Sequence, residues 1–331
     1  MKFPVLIGAL GLLVAGLFAA SLLVGPAAIG LSESLSALIR GGADGDAVAV
    51  VMREVRLPRA LLGAMVGAAL GLSGAAMQGF LRNPLAEPGL IGTSASAALG
   101  AVLAIQTGFA AAFTLALPLS ALVGAVLSVL LIVALAGPRG SALVLILAGI
   151  AVSALAGACT ALVLNLSPNP YAAAEIVFWM MGSLADRSMT HVWLAAPLMA
   201  LGAAMILPMG RGLNALTLGE DAAASLGVAL GRMRLMLVLG TAALVGAATA
   251  VAGAIGFVGL VVPHILRPLV GALPSRLLPA SALGGAAMVL AADIAVRLIA
   301  PDRDLKLGVL TALVGAPFFL HLIWRTRSEG I

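Results

Sequence analysis

Side chains able to move a proton, hold a metal or grip a phosphate are few in this chain, so their spacing carries weight. The clearest pair is Asp293 and Arg297, which lie four residues apart near one end of an apolar run. That spacing puts both on one helix face, where each can neutralise the other. The three histidines, His191, His264 and His321, are scattered. His264 follows a proline inside an apolar block and the other two fall near the ends of apolar runs, so no metal site is expected. The single Cys159 sits in an apolar run, which suits packing and leaves no disulfide within one chain. A phosphate-binding loop needs Gly-Lys-Ser/Thr. The only lysines are Lys2, after Met1, and Lys306, after Leu305, so ATP is not expected to bind here. Gln78 and Asn165 are polar points in apolar runs but carry no protons. A carrier driven by protons or sodium needs ionisable groups near mid-membrane, and the apolar runs hold almost none. No repeated polar filter sequence appears that would line a channel.

One stretch breaks the pattern: MGRGLNALTLGEDAAASLGV, from Met209 to Val228. Thr217-Leu218-Gly219-Glu220 fits a capping box, with the Thr217 hydroxyl and the Glu220 carboxylate each closing an open backbone N–H. Asp221 adds a second charge in the first turn, where the helix dipole favours it. Gly227 suits a left-handed C-terminal cap. The expectation is a short helix from about Leu218 to Leu226, outside the membrane, with a small Ala222-Ala223-Ala224 surface. By pattern alone it reads either as a solvated loop with a stray helical turn or as a rigid knob able to enter a partner's cleft.

These residues must be held by membrane helices. Of 331 residues, 62% are hydrophobic and 9% charged, with a mean hydropathy of +1.19. Soluble domains carry about a quarter charged residues. The chain is therefore a single all-α, polytopic membrane domain over 1–331, with the polar segment 210–228 projecting from it. The formal charge of +5 does not imply nucleic acid, because basic residues sit singly at helix ends. Apolar windows and their Pro, Gly and Arg punctuation predict about ten spans. They fall near Phe3–Val24, Leu57–Phe80, Leu90–Thr107, Phe113–Ala136, Ala142–Leu166, His191–Met209, Met233–Gly253, Val258–Gly271, Leu277–Ile299 and Leu307–Trp324. The first is read as a retained helix rather than a signal peptide. The eighth is short and marked by Gly253, Gly256 and Gly259, which suits either a half-helix or a span inside the bundle rather than against lipid. With both termini inside, Arg53, Arg56, Arg59 and Arg297 gather at outer helix ends, a basic mouth suited to an acidic visitor. Gly67, Gly71 and Gly74 mark a face for close helix contact.

Several blocks, in order, resemble the iron-siderophore, haem and vitamin B12 permeases of bacterial ATP-binding-cassette (ABC) importers. They are Arg56-Leu57-Pro58-Arg59 with GAALGLSGAAMQGFLRNPLAEPGLIGTSASAALGA from Gly67, and Phe178-Trp179-Met180-Met181-Gly182-Ser183-Leu184. Further on come LNALTLGEDAAASLGV from Leu213, GAIGFVGLVVPHILR from Gly253, LLPASALGGA from Leu277 and GVLTALVGAPFF from Gly308. The match covers nearly the whole chain. It departs at Asp304-Leu305-Lys306, where the family reads Glu-Leu-Pro, and in the Ala272–Arg276 run.

The resemblance implies a type II ABC importer permease fold of ten helices in the bacterial cytoplasmic (inner) membrane, with both termini cytoplasmic. It implies a second permease copy (a homodimer being the simpler pairing), two cytoplasmic ABC ATPases that bind ATP and Mg, and an external substrate-binding protein. No cofactor is implied in this chain, and lipid is its only other surroundings. Leu213, Thr217, Leu218, Gly219, Glu220, Asp221, Ala222, Ala223, Ser225, Leu226 and Gly227 correspond to the coupling segment in the ATPase cleft. Arg56, Arg59 and Arg297 match arginines that engage the binding protein. Asn83 and Leu85 match an inner gate, with Ser141 in the neighbouring turn. A pathway for a bulky chelate is expected to use small, Met and amide side chains, which makes Met77, Gln78, Met180 and Met181 candidates. The function implied is import of a ferric siderophore, haem or cobalamin. A stand-alone secondary transporter or facilitator is the alternative.

Overall fold

The structure, a computed structural model, describes residues 2–25, 29–40, 46–137, 142–300 and 305–328. Among these residues every regular element is helical. In chain order they are α1 (Phe3–Leu23), α2 (Leu31–Arg40) and α3 (Ala47–Val50), which runs through a π-helical turn, Val51–Arg56, into α4 (Leu57–Phe80). Then come α5 (Thr93–Gln106), α6 (Ala116–Ala136), α7 (Ala142–Asn165), α8 (Pro170–Met180), α9 (Met189–Ile206), α10 (Gly210–Leu216) and α11 (Glu220–Ser225). The chain ends with α12 (Leu230–Ala252), α13 (Val258–Leu266), α14 (Pro274–Ile299) and α15 (Leu307–Ser328).

Among the described residues, seven helical stretches are long and apolar enough to cross a bilayer, and α5 and Leu307–His321 of α15 are shorter apolar helices. The nine residues of α13 rise only about 14 Å, less than half of the hydrocarbon core. A 3-10 turn, Pro268–Val270, extends α13, and the burial of Val258–Pro263 puts the eighth predicted span largely inside the subunit. Start signals are local. Asp46 Oδ1 accepts from the Val48 N–H at 2.9 Å to open α3, and Asn169 does the same for Tyr171 at 2.9 Å ahead of Pro170 and α8. Neither α2 nor α8 belongs to the predicted spans, and both lie beside span ends.

Burial ranks the helices. The apolar windows of α4 and α12 are 78% buried, against 11% for α1 and 28% for α6 and α7, so α4 and α12 form the centre and α1, α6 and α7 lie further out. The predicted glycine face explains how α14 can approach α4 so closely. A Cβ on Gly67 would run into the Gly285 carbonyl, one on Gly71 into the Ser281 carbonyl, and one on Gly74 into Gly259. Hydrogen bonds place the ends of α1 and α14 and the start of α4 together at one end of the bundle. The α10–α11 segment lies at the opposite end, beside the start of α14.

Candidate functional site

The polar island is two helices rather than one. α10, where the sequence marked no element, follows α9 through the 3-10 turn Leu207–Met209 and is anchored on both sides. Leu213 and Leu216 are buried, and Asn214 pairs twice with Ser275 at the start of α14. Its Nδ2 donates to Ser275 Oγ at 2.8 Å, and its Oδ1 accepts from the Ser275 N–H at 2.9 Å. The capping box expected at Thr217 and Glu220 does not form. Thr217 closes α10 instead, its hydroxyl donating to the Asn214 carbonyl at 2.7 Å. An acceptor in its own completed turn is nearer than the open N–H groups of the next helix. Gly219, at φ +109°, takes the position before α11, and no side chain caps that end.

The six-residue α11 keeps Glu220 and Asp221 in its first turn, as the dipole argument requires. Its far end carries the expected left-handed cap. Gly227 has φ +82°, its N–H donates to Ala224 at 2.9 Å, and the Val228 N–H donates to Ala223 at 3.0 Å, the paired bonds of a Schellman motif. Ala223 faces inward, fully buried, and Ala222 is half-buried. Leu218 and Leu226 stand out at 69% and 66% exposure, one at each end of the helix. Thr217, Glu220, Asp221, Ser225 and Gly227 are exposed between and beside them.

At the opposite end the arginines are organised around helix termini. Arg56 is buried and its Nη1 donates to the Leu22 and Leu23 carbonyls at 2.9 and 3.1 Å, closing α1. Arg297 Nη1 donates to the Ser21 and Val24 carbonyls at 2.9 and 2.6 Å. Cations suit these carbonyl-rich ends. The predicted pair forms, with Arg297 Nη2 2.8 Å from Asp293 Oδ2. Sequence reasoning missed its third member: Arg59 Nη2 lies 2.9 Å from Asp293 Oδ1. Of this pair of arginines, Arg59 keeps more surface, its side chain being 19% exposed against 8% for Arg297. Asp293 binds two of these three guanidinium groups, and the exposed carboxylates Glu33, Asp46 and Glu54 lie at the same end.

The expected pathway residues separate. Met180 and Met181 line a largely apolar cavity of about 690 Å³ with Ala254, Gly256, Gly308 and Pro317. Beside it, Lys306 Nζ sits 5.4 Å from the centre of the Phe178 ring. Met77 and Gln78, expected along the pathway, are packed inside the subunit at 3% and 1% exposure. The reason for Gln78 is its bonding: its Oε1 accepts from Arg267 Nη2 at 2.7 Å, and its amide nitrogen approaches the Leu260 carbonyl at 3.3 Å. This tie between α4 and α13 had no sequence signal. Asn83 and Leu85 are exposed just past α4, where Asn83 Oδ1 accepts from the Leu85 N–H at 2.9 Å. Ser141 lies outside the described residues. In the α8–α9 connection, burial holds the Arg187 guanidinium below the usual arginine range while Asp186 pulls it back up.

The described residues form a bundle of apolar crossings around two buried central helices, with a capped projection at one end and an arginine–aspartate cluster at the other, and its match to a solved importer structure gives the class. It is a multi-pass permease subunit of the type II ABC-importer fold. A solved structure of an inward-facing metal-chelate type ABC transporter superposes with a TM-score of 0.86 at 33% identity, covering 97% of this chain and 99% of that one. Residues 12–325 match the FecCD transport family, and the chain belongs to that family. Among its relatives, the Hemin transport system permease protein HmuU of Yersinia pestis is 41% identical over 289 residues, 86% of each chain. The Cobalamin import system permease protein BtuC of Halobacterium salinarum is 40% identical over 276 residues, 83% of this chain and 73% of that protein.

Proposed function

We propose that this permease, paired with a second copy of itself, carries a metal chelate (a ferric siderophore or haem) or cobalamin across the bacterial inner membrane. Energy comes from two separate ATPases, which bind the ATP and Mg. The chelate and cobalamin classes follow the names of its relatives. The observation that carries the coupling is the geometry of α10 and α11. Asn214 and Ser275 fix α10 to α14, while Leu218 and Leu226 offer apolar side chains outward. A cleft gripping those two leucines pulls on a rigid lever tied into the bundle. In this reading α11 and both termini face the cytoplasm.

At the other end a loaded binding protein meets the surface around Arg59, where complementary charge speeds and orients the encounter. Arg59 is the docking residue to test, since Arg56 and Arg297 already close α1. Met180 and Met181 border the route, and Asn83, Leu85 and Ser141 form the gate on the α11 side. The test is ATPase stimulation of the reconstituted permease–ATPase complex by its binding protein loaded in turn with ferric siderophore, haem or cobalamin. One loaded form is expected to stimulate hydrolysis several-fold over the empty protein. Equal hydrolysis with every form and with none contradicts the proposal.

A further inference from the structure

The ten-residue α2 has three distinct faces. Ser34 and Ala37 are buried at 3% and 4%, and Ala37 packs with Ala49 and Met52 in a cluster that Leu22 of α1 joins. Ser32, Glu33 and Ser36 are exposed and polar. Leu31, Leu35 and Ile39 are also exposed, at 65%, 56% and 74%. Their spacing of four residues aligns them in one stripe along the helix. The protein covers the first face and water suits the second. The third, an apolar stripe, needs an occupant.

Depth identifies it. The 21 residues of α1 rise about 30 Å, the thickness of a hydrocarbon core, so its last turn marks the edge of that core. Arg56 binds the carbonyls of that turn. Arg53, about one helical turn earlier, binds the last carbonyls of α2: its Nε donates to Ala37 at 3.0 Å and its Nη2 to Leu38 at 2.8 Å. The end of α2 therefore lies within about 5 Å of the hydrocarbon edge, inside a headgroup layer roughly 5–7 Å deep. Exposed Val50 and Val55, at 54% and 52%, carry the apolar surface onto the adjoining helix. A helix at this depth with separate apolar and polar faces matches those that lie in a bilayer interface.

We propose that α2 is an interfacial helix. Its Leu31, Leu35 and Ile39 enter the acyl chains of the leaflet away from α11, so that α2 and Arg53 hold this end of the bundle at membrane depth. This assignment is independent of the cargo and of the ATPase.

The test uses the full permease–ATPase complex in phosphatidylcholine nanodiscs, in a Cys159→Ser background. Single cysteines are introduced as Leu35→Cys, Ile39→Cys, Ser32→Cys and Ser36→Cys, all at exposed positions, and labelled with an environment-sensitive fluorophore. Phosphatidylcholine bearing a nitroxide near its carbonyl end is expected to quench labels at 35 and 39 at least about twofold more than those at 32 and 36. Aqueous iodide is expected to show the reverse order. Iodide reaching all four sites equally overturns the proposal. So does shielding of 35 and 39 that appears only when the binding protein is added, which assigns the stripe to a protein partner. Unchanged melting of each labelled variant separates these results from loss of fold.

Discussion

Asp293 holds two guanidinium groups, Arg59 at 2.9 Å and Arg297 at 2.8 Å, and Arg297 passes its remaining donors to the end of α1. Three helices meet at this carboxylate. Removing it leaves two cations largely desolvated without their partner. Asp293→Asn is expected to destabilise the subunit by about 3–5 kcal/mol, read as a lower melting temperature in detergent. Adding Arg297→Met should recover part of that loss, because one of the stranded charges is gone. Strictly additive losses would argue against a coupled triad. Arg59→Gln keeps the fold more nearly intact and is expected to slow binding-protein association and flatten its salt dependence, with ATPase assembly unchanged. Two of the three members of this cluster were legible as partners in the sequence. Asp293 and Arg297 announce themselves by their spacing, whereas Arg59 is 234 positions from Asp293 and only the packing of α4 on α14 brings them together. Gln78 and Arg267, 189 positions apart, were hidden for the same reason.

The helices themselves divide along a similar line. The apolar spans were readable because a long lipid-compatible run has few alternatives to a helix. The glycine face of α4 was readable because small residues recur at helical spacing. Gly71→Val is expected to cost about 1–3 kcal/mol, since its Cβ meets the Ser281 carbonyl. Gly157→Ala, with open space around it, should leave melting nearly unchanged. Reading failed where helices are short and held by tertiary contacts. α10 begins Gly-Arg-Gly, which locally resembles loop, yet Asn214, Leu213 and Leu216 fasten it. The Thr217 box matched its pattern but lost to the Asn214 carbonyl. Thr217→Ala should therefore cost less than the roughly 1 kcal/mol of a lost N-cap and barely alter transport. Asn214→Ala breaks both bonds to Ser275, and is expected to lower ATP-driven uptake several-fold while ATPase binding and bundle melting hold.

At the scale of the molecule, an apolar body separates two polar ends. One end carries the short α11 with two exposed leucines, and the other an Arg–Asp cluster whose arginines also close α1. The family places it among importer permeases, and the proposed division of labour gives the energy to another protein. The most direct measurement is uptake of the stimulating cargo into proteoliposomes, with the α11-bearing side toward the ATP. Permease, ATPase and loaded binding protein together are expected to give ATP-dependent uptake. Leu218→Asp with Leu226→Asp should abolish that uptake without dissociating the helical bundle. Uptake by the permease alone along an ion gradient, or full ATP-driven uptake by the double variant, would contradict a gate worked through α11.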